Sequence, residues 1–211
     1  MIKLLIADDH AIVREGLKQI VAEESDMVVS GEADNAAAMM DMLQKNTFDL
    51  VILDINMPGK SGLEAIKDIN STFPDLPVLI LSMYSEEQYG LRAIRAGAAG
   101  FLKKVSAPDE LIRAIRLIIN GSKYISQELA EKMALSFGPA KEKMPHETLS
   151  DREYQIMCAI ASGKSAESIA KELSISVHTV YSYRNRIFEK MELKTNVELT
   201  QYAIQNKLIE L

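Results

Sequence analysis

Residues 50–54 read Leu-Val-Ile-Leu-Asp, a short apolar run that ends on a carboxylate. Comparable runs stand at residues 2–7, 27–33, 78–82 and 100–103, and segments with helical spacing separate them. Several of the runs are continuously apolar, which is typical of strands whose two faces are both covered by helices. Five strand–helix repeats with crossovers of this length predict an α/β fold with a doubly wound parallel sheet.

Apolar residues between the runs recur at the spacing of helix faces. The stripes are Ile12, Leu17, Ile20 and Val21; Leu63, Ile66 and Ile69; and Leu111, Ile112, Ile115 and Ile119. Pro108 precedes the last stripe at a position that suits the first turn of a helix. We assume the flavodoxin-like strand order 2-1-3-4-5, because a sequence alone does not show the order of strands in a sheet.

The remaining sequence predicts a connection and a small helical domain. Residues 1–120 hold the α/β repeats, residues 121–147 form a connecting helix and linker, and residues 148–211 form an all-α four-helix domain. A short extra helix is expected at 123–135, and a polar linker is expected at 138–146, where two prolines bound it. The four helices of the last domain are expected at 151–162, 166–173, 177–191 and 195–207.

Composition indicates a soluble protein of the cytoplasm. The chain has 211 residues with 47% hydrophobic content, and no apolar run approaches the roughly 20 residues that span a bilayer. Its single cysteine, Cys158, excludes an internal disulfide and fits a reducing compartment. The net charge of −6 argues weakly against nucleic acid. However, residues 1–120 hold 12 basic and 18 acidic side chains, whereas residues 149–211 hold eight of each. The neutral second part can therefore bind DNA if its basic groups share a face.

Three carboxylates follow strands that are neighbours in the assumed order. Asp8 and Asp9 follow the first strand, and Asp54 ends the third, so all three converge at the switch point where open α/β sheets bind ligands. Such a cluster needs a cation, and Mg²⁺ prefers carboxylate oxygens. Ser82 ends the fourth strand and a lysine pair, 103–104, ends the fifth; a hydroxyl and an ammonium there can hold phosphoryl oxygens. Taken singly, an aspartate or serine at a strand end is as often a helix cap, and a lysine pair is usually solvated.

These residues resemble the receiver domain of bacterial response regulators. The matching motifs are Ala7-Asp8-Asp9-His10, Leu53-Asp54-Ile55-Asn56-Met57-Pro58-Gly59, Ser82, and Ala96-Gly97-Ala98-Ala99-Gly100-Phe101-Leu102-Lys103-Lys104. The resemblance implies that Asp54 accepts the phosphoryl group and that Asp8, Asp9, Asp54 and the backbone carbonyl of Asn56 hold Mg²⁺. It makes Ser82 the switch hydroxyl and Phe101 the switch aromatic, and spacing from Phe101 selects Lys104 over Lys103. Val105 departs from the proline that many receivers have at this position.

The second domain has the pattern of a helix-turn-helix. Ser165 and Ser176 are good helix caps, and the turn at 174–176 between the two helices has the right length. The second helix carries polar and basic side chains, which suit a reader of the major groove. They include His178, Thr179, Ser182, Arg184, Asn185, Arg186 and Lys190. From the pattern alone, a solvated helix in a small bundle stays open.

Residues 147–211 resemble a LuxR-type DNA-binding domain. The motifs are Leu149-Ser150-Asp151-Arg152-Glu153, Ile160-Ala161-Ser162-Gly163-Lys164-Ser165, Ile169-Ala170-Lys171-Glu172-Leu173, and Thr179-Val180 through Ile187 to Lys190-Met191. With the receiver they give the architecture of NarL/FixJ-type regulators, nearest the GacA/UvrY-like subgroup. Carried over, Tyr181, Ser182 and Asn185 face base edges, and Thr179, Arg184, Arg186 and Lys190 contact phosphates. Tyr181, Tyr183 and Asn185 depart from the residues of many members, so base preference cannot be copied.

The expected function is regulation of transcription by phosphorylation rather than enzymatic turnover. The expected partners are a sensor histidine kinase, or a small phosphodonor such as acetyl phosphate, double-stranded DNA, and a second copy of the chain on activation. The last helix would supply a dimer contact. Two alternatives stay open: a phosphohydrolase with an aspartyl-phosphate intermediate, and an adaptor whose last helices bind protein. Cys158 is expected to be buried, and His10 and His146 are expected to lack metal-ligand neighbours.

Overall fold

The computed structural model of the chain describes residues 1–136 and 144–209. The chain divides into two compact units, Met1–Ala130 and Glu131–Leu211. Most of the predicted linker, at 138–146, lies outside the described residues. Within the part of the chain that is described, no helix is both long and apolar enough to cross a lipid bilayer.

The first unit contains a sheet of five parallel strands. They are β1 (Ile2–Ala7), β2 (Met27–Ala33), β3 (Leu50–Leu53), β4 (Val78–Ser82) and β5 (Gly100–Lys103). Their order is β2-β1-β3-β4-β5, which confirms the predicted fold and the assumed order. Every residue of β3 and β4 is buried, as their continuously apolar sequences indicate. The third strand ends at Leu53, so Asp54 stands just beyond it rather than within it.

Helices connect these strands and cover the sheet. They are α1 (Ala11–Ala22), α2 (Ala36–Lys45), α3 (Gly62–Thr72), α4 (Glu86–Ala96) and α5 (Pro108–Ile119). Leu17 and Val21 of α1 are buried as predicted, but Ile12 is 83% exposed. Leu17 lies five positions after Ile12, which places the two residues about 140° apart around a helix. The predicted stripe was therefore wrong at Ile12.

The residues after α5 pair with the outer edge of β5. The backbone N–H of Tyr124 donates to the carbonyl of Ala99 at 2.9 Å, and its carbonyl accepts from the N–H of Phe101 at 3.1 Å. A β-carbon on Gly100 would lie 2.8 Å from the Tyr124 carbonyl oxygen, so only glycine allows this approach. Because Tyr124 is bridged to the sheet, the additional helix α6 runs over Gln127–Ser136 and not from residue 123.

The second unit is helical. A short 3-10 helix at Pro145–Thr148 precedes α7 (Asp151–Ala161), α8 (Ala166–Glu172), α9 (Val177–Met191) and α10 (Asn196–Gln205). Side-chain oxygens of Ser150, Ser165, Ser176 and Thr195 cap the four helices by accepting a backbone N–H of the first turn. The four helices agree with the predicted segments to within two residues at each end. Cys158 is buried, as expected.

Buried Arg152 of α7 fixes the turn between α8 and α9. Its guanidinium donates to the carbonyl of Leu173, the last residue before the turn, at 3.0 Å and to Oε1 of Gln155 at 2.7 Å. The carbonyl at the end of a helix has no hydrogen-bond partner within the helix, and Arg152 supplies one from outside it. Ser174 follows with φ of 52°, which turns the chain toward α9.

Candidate functional site

Asp8 and Asp54 lie side by side at the carboxyl ends of β1 and β3. The two strands are neighbours, with Ala7 opposite Leu53, and the N–H of Asp54 donates to the carbonyl of Ala7 at 2.8 Å. Both aspartates are buried. A β-carbon on Gly62 would lie 2.2 Å from the carbonyl oxygen of Asp54, so the glycine that begins α3 allows this helix to start directly against the site. The predicted convergence of carboxylates is therefore present.

Lys104 joins the two buried carboxylates. Its Nζ lies 2.6 Å from Oδ2 of Asp8 and 2.7 Å from Oδ2 of Asp54, and its side chain is almost fully buried. The backbone N–H of Lys104 donates to the carbonyl of Ser82 at 2.8 Å, which ties this residue to the end of β4. The geometry agrees with the choice of Lys104 over Lys103.

Burial and charge act in opposite directions on these groups. Burial raises the pKa of Asp54 above its usual value, and the ammonium of Lys104 and the backbone N–H of Asn56 offset only part of this rise. Burial alone would lower the pKa of Lys104, but the carboxylates of Asp54 and Asp8 outweigh it and leave that pKa raised. The site therefore keeps the Lys104 ammonium charged and disfavours the ionised form of Asp54. This is expected where buried carboxylates need a further cation.

Ser82 and Phe101, the predicted switch residues, are both buried on the neighbouring strands β4 and β5. The hydroxyl oxygen of Ser82 accepts a hydrogen bond from the N–H of Tyr84 at 3.2 Å. Phe101 stands opposite Ile80 in the sheet, and its own N–H is bound by Tyr124. Their roles in switching stay predictions.

The carboxylates also have the composition of a hard-cation site. Ligand atoms of Asp8, Asp9, His10 and Asp54 all lie within 4.8 Å of one another. Oδ1 of Asp9 is buried and accepts no hydrogen bond from the described residues, although Nδ1 of His10 lies 2.8 Å from it without the geometry of a hydrogen bond. An unsatisfied carboxylate oxygen beside two buried aspartates fits Mg²⁺, whose preferred ligands are oxygens. The backbone carbonyl of Asn56 stays a predicted ligand.

His10 departs from the prediction. It was expected to lack metal-ligand neighbours, but its Nδ1 lies 3.2 Å from Oδ1 of Asp8 as well as close to Asp9. Its backbone N–H donates to the same Asp8 oxygen at 2.9 Å. Adjacency to the aspartate pair was the signal in the sequence, because the turn after a strand brings consecutive residues around one site.

Helix α9 of the second unit buries one face and presents the other. Val180, Ile187 and Met191 are its buried residues. None of the residues predicted to contact DNA is buried: His178, Thr179, Tyr181, Ser182, Arg184, Asn185, Arg186 and Lys190. Tyr181, a predicted base reader, is 48% exposed although it is a large aromatic side chain. Tyrosine and arginine are enriched at binding interfaces relative to the rest of a protein surface.

The basic residues of α9 differ in how strongly the domain engages them. Nε of Arg184 donates to Oδ1 of Asn196 at 3.0 Å, while its guanidinium stacks over the ring of Phe188. Arg186 lies over the ring of Tyr183, with 5.8 Å to its centroid. Lys190 instead pairs with Oε2 of Glu153 at 2.7 Å.

Glu153 is buried, so its pairing with Lys190 has a structural role. Burial raises the pKa of Glu153, but hydrogen bonds from Lys190 and Ser150 lower it by a larger amount. The pKa of Glu153 therefore lies below its usual value. The same carboxylate accepts the N–H of Ser150 and completes the cap of α7. A contact of Lys190 with DNA phosphates stays a prediction, and this pairing competes with it.

Both parts of the chain match known families. Residues 4–116 match the response regulator receiver domain, and residues 147–203 match the bacterial regulatory proteins of the luxR family. The response regulator UvrY of Escherichia coli (strain K12) is 38% identical over 209 residues, which cover 99% of this chain and 96% of that protein. The response regulator GacA of Pseudomonas aeruginosa is 36% identical over 211 residues, which cover 100% and 99%.

Solved structures show a similar arrangement of elements. RcsB from Salmonella enterica serovar Typhimurium, bound to promoter rprA in the presence of the phosphomimetic BeF3⁻, matches with a TM-score of 0.65 and 27% identity over 96% of this chain and 98% of that one. A structure of two RcsB dimers bound to two parallel DNAs matches with a TM-score of 0.59 and 26% identity over 96% and 98%.

Proposed function

Because this chain belongs to the bacterial response regulators that join a receiver domain to a LuxR-type DNA-binding domain, we propose that phosphorylation of Asp54 controls its binding to promoter DNA. Its family makes it a regulator and not a conventional enzyme. The observation that carries the proposal is the contact of Lys104 with both Asp54 and Asp8 at the point where the strand order reverses.

The proposed reaction is transfer of one phosphoryl group to Asp54. A carboxylate oxygen of Asp54 forms a bond to phosphorus while the bond from phosphorus to the donor breaks; the donor is a phosphohistidine of a sensor kinase or acetyl phosphate. Lys104 balances charge on the phosphoryl oxygens, and the Ser82 hydroxyl donates a hydrogen bond to one of them. Burial of Asp54 supports these roles of Lys104 and Ser82, because electrostatic contacts are stronger where water is excluded.

Mg²⁺ is the cofactor that we propose for this site. When bound, it neutralises charge on the carboxylates and on the phosphoryl oxygens. Asp8, Asp9, Asp54 and the carbonyl of Asn56 would hold it. Oδ1 of Asp9, buried and without a hydrogen bond from any described residue, supports this assignment.

The proposed output is dimeric binding to duplex DNA through α9. Tyr181, Ser182 and Asn185 would contact base edges, and Arg184 and Arg186 would contact phosphates. Val197 and Ile204 are exposed, stand seven residues apart on α10 and so share a face that suits a contact with a second copy. The related RcsB binds DNA as dimers. Two copies of α9 would then reach half-sites about 34 Å apart.

Labelling with radioactive acetyl phosphate tests the proposal. With MgCl₂ present, the protein should take up close to one phosphoryl group per chain, and Asp54→Asn should take up none. Asp41→Asn, which changes an exposed carboxylate on α2, is the matched control and should label normally. Normal labelling of Asp54→Asn would refute the assignment, and repeated turnover of acetyl phosphate would favour a phosphohydrolase.

Binding to DNA tests the output. Phosphorylated protein should bind a promoter fragment more tightly than unphosphorylated protein, and the affinity should fall as salt increases. Absence of salt-dependent binding to duplex DNA, with and without phosphorylation, would favour an adaptor that recognises protein.

A further inference from the structure

Arg14 of α1 holds the backbone of the residue that begins the acidic cluster. Its guanidinium Nη1 donates to the carbonyl oxygen of Asp8 at 2.6 Å, and its side chain is only 18% exposed. The backbone N–H of Asp8 donates to the carbonyl of Ala33 at 3.0 Å. The carboxylate of Asp8 also contacts His10 and Lys104. The N–H, the carbonyl and the side chain of Asp8 therefore all have partners, and Arg14 is the partner of the carbonyl.

Glu32 of β2 holds Arg14 in place. Oε2 of Glu32 lies 3.4 Å from Nε of Arg14, which is buried and has no hydrogen-bond partner in the part of the chain that is described. The other carboxylate oxygen, Oε1, lies 2.8 Å from Nζ of Lys18. Burial raises the pKa of Glu32 less than Lys18 and Arg14 lower it, so the carboxylate stays charged. Two cations therefore share Glu32, but only Arg14 also reaches Asp8.

We propose that Arg14 is a positioning residue for the phosphorylation site, which acts by fixing the peptide between Asp8 and Asp9. The carbonyl of Asp8 and the N–H of Asp9 belong to one rigid plane, so a bond to the carbonyl sets the direction in which Asp9 leaves the strand. The proposal rests on the proposed function, since it concerns the cation site of that reaction.

Loss of Arg14 acts on the cluster through the backbone. Without it, the carbonyl of Asp8 binds water, and the turn into α1 can rotate away from the orientation that presents Asp9. Groups that orient the ligands of a metal commonly contribute about 10–100-fold to its affinity. We expect the effect on Mg²⁺ to lie at the lower end, about tenfold, because Lys104 and Ala33 still hold Asp8.

Arg14→Met and Lys18→Met form a matched pair, because each removes one cation from Glu32 and keeps an aliphatic chain. Titration calorimetry of the full chain with MgCl₂ should give a dissociation constant about tenfold higher for Arg14→Met and unchanged for Lys18→Met. The rate of labelling by acetyl phosphate should fall for Arg14→Met at low MgCl₂ and recover at saturating MgCl₂. If Arg14 had only a structural role, Arg14→Met would lower the melting temperature without changing the affinity for Mg²⁺.

The outcomes distinguish a failure of the role of Arg14 from a failure of the proposed function. An unchanged Mg²⁺ affinity in Arg14→Met, or an equal loss in Lys18→Met, overturns the role of Arg14. A wild-type chain that neither binds Mg²⁺ nor takes up label overturns the proposed function itself. If Arg14→Met does not fold, Arg14→Gln, whose side chain is too short to reach the Asp8 carbonyl, is judged by the same criterion.

Discussion

The ammonium of Lys104 lies 2.7 Å from Asp54 and is shared with Asp8, so one cation serves two buried carboxylates. The stability of the receiver should therefore depend on Lys104 when no metal is bound. Removing one member of a buried ion pair leaves the others without compensation, which commonly costs about 3–5 kcal/mol.

Lys104→Met should therefore lower the free energy of unfolding by about 3–5 kcal/mol in metal-free buffer. The double variant Asp54→Asn/Lys104→Met should be more stable than Lys104→Met, because it contains one buried carboxylate fewer. Urea unfolding followed by amide NMR signals of β3 and β4 measures both. Lys103→Met is the matched control, and an equal loss in the two lysine variants would contradict this assignment.

Arg152→Met should destabilise the helix-turn-helix domain by about 2 kcal/mol, because it leaves the Leu173 carbonyl and Gln155 without a charged donor. The same variant should weaken binding to DNA, since α8 and α9 lose the contact that fixes their turn. Lys164→Met removes an exposed pair with Glu172 and should cost less than about 1 kcal/mol. Chemical denaturation of both variants checks this, and equal costs would show that Arg152 does not fix the turn.

Arg186 and Lys190 should behave differently on DNA although both are basic and exposed. Arg186→Met should reduce the slope of log affinity against log salt by about 1 and leave stability unchanged. Lys190→Met should change this slope less and lower stability, because it leaves buried Glu153 without its cation. Binding titrations at several salt concentrations, with melting curves, compare the two. Equal slopes would mean that Lys190 leaves Glu153 to contact phosphate.

Tyr124 should titrate at an unusually high pH. Burial and a hydrogen bond from its hydroxyl to Glu110 raise its pKa from 10.0 to about 12. Because the pKa in the folded state is the higher one, the stability from this contact is full below pH 10 and is lost as the pH rises to about 12. Ultraviolet titration should show one tyrosine that ionises at this high pH, and Tyr124→Phe should remove that signal. Its persistence in that variant would assign the shift to another tyrosine.

The sequence predicted the sheet and the acidic cluster because both depend on local pattern. Apolar runs marked the strands, and their last residues placed Asp8 and Asp54 at one edge once the strand order was assumed. The order is now confirmed, and so is the family resemblance, including the similarity to UvrY and GacA.

Contacts between distant residues left no such pattern. Lys190 and Glu153 are separated by 37 positions, so their pairing is invisible until the helices pack. Arg14 binds a backbone carbonyl, which every residue type provides, and its partner therefore cannot be read from sequence. Tyr124 pairs with β5 through single backbone bonds, which create no alternation of apolar and polar residues.

The pairing of Tyr124 with β5 bears on how the receiver could be prepared alone. A fragment that stops at residue 120, where the strand–helix repeats end, would lack Tyr124 and expose the backbone groups of an edge strand to other molecules, which promotes aggregation. It would also lack Leu129, which is buried against Gly90 of α4. A fragment that runs to Ala130 keeps both contacts and ends with the first compact unit, about one turn into α6.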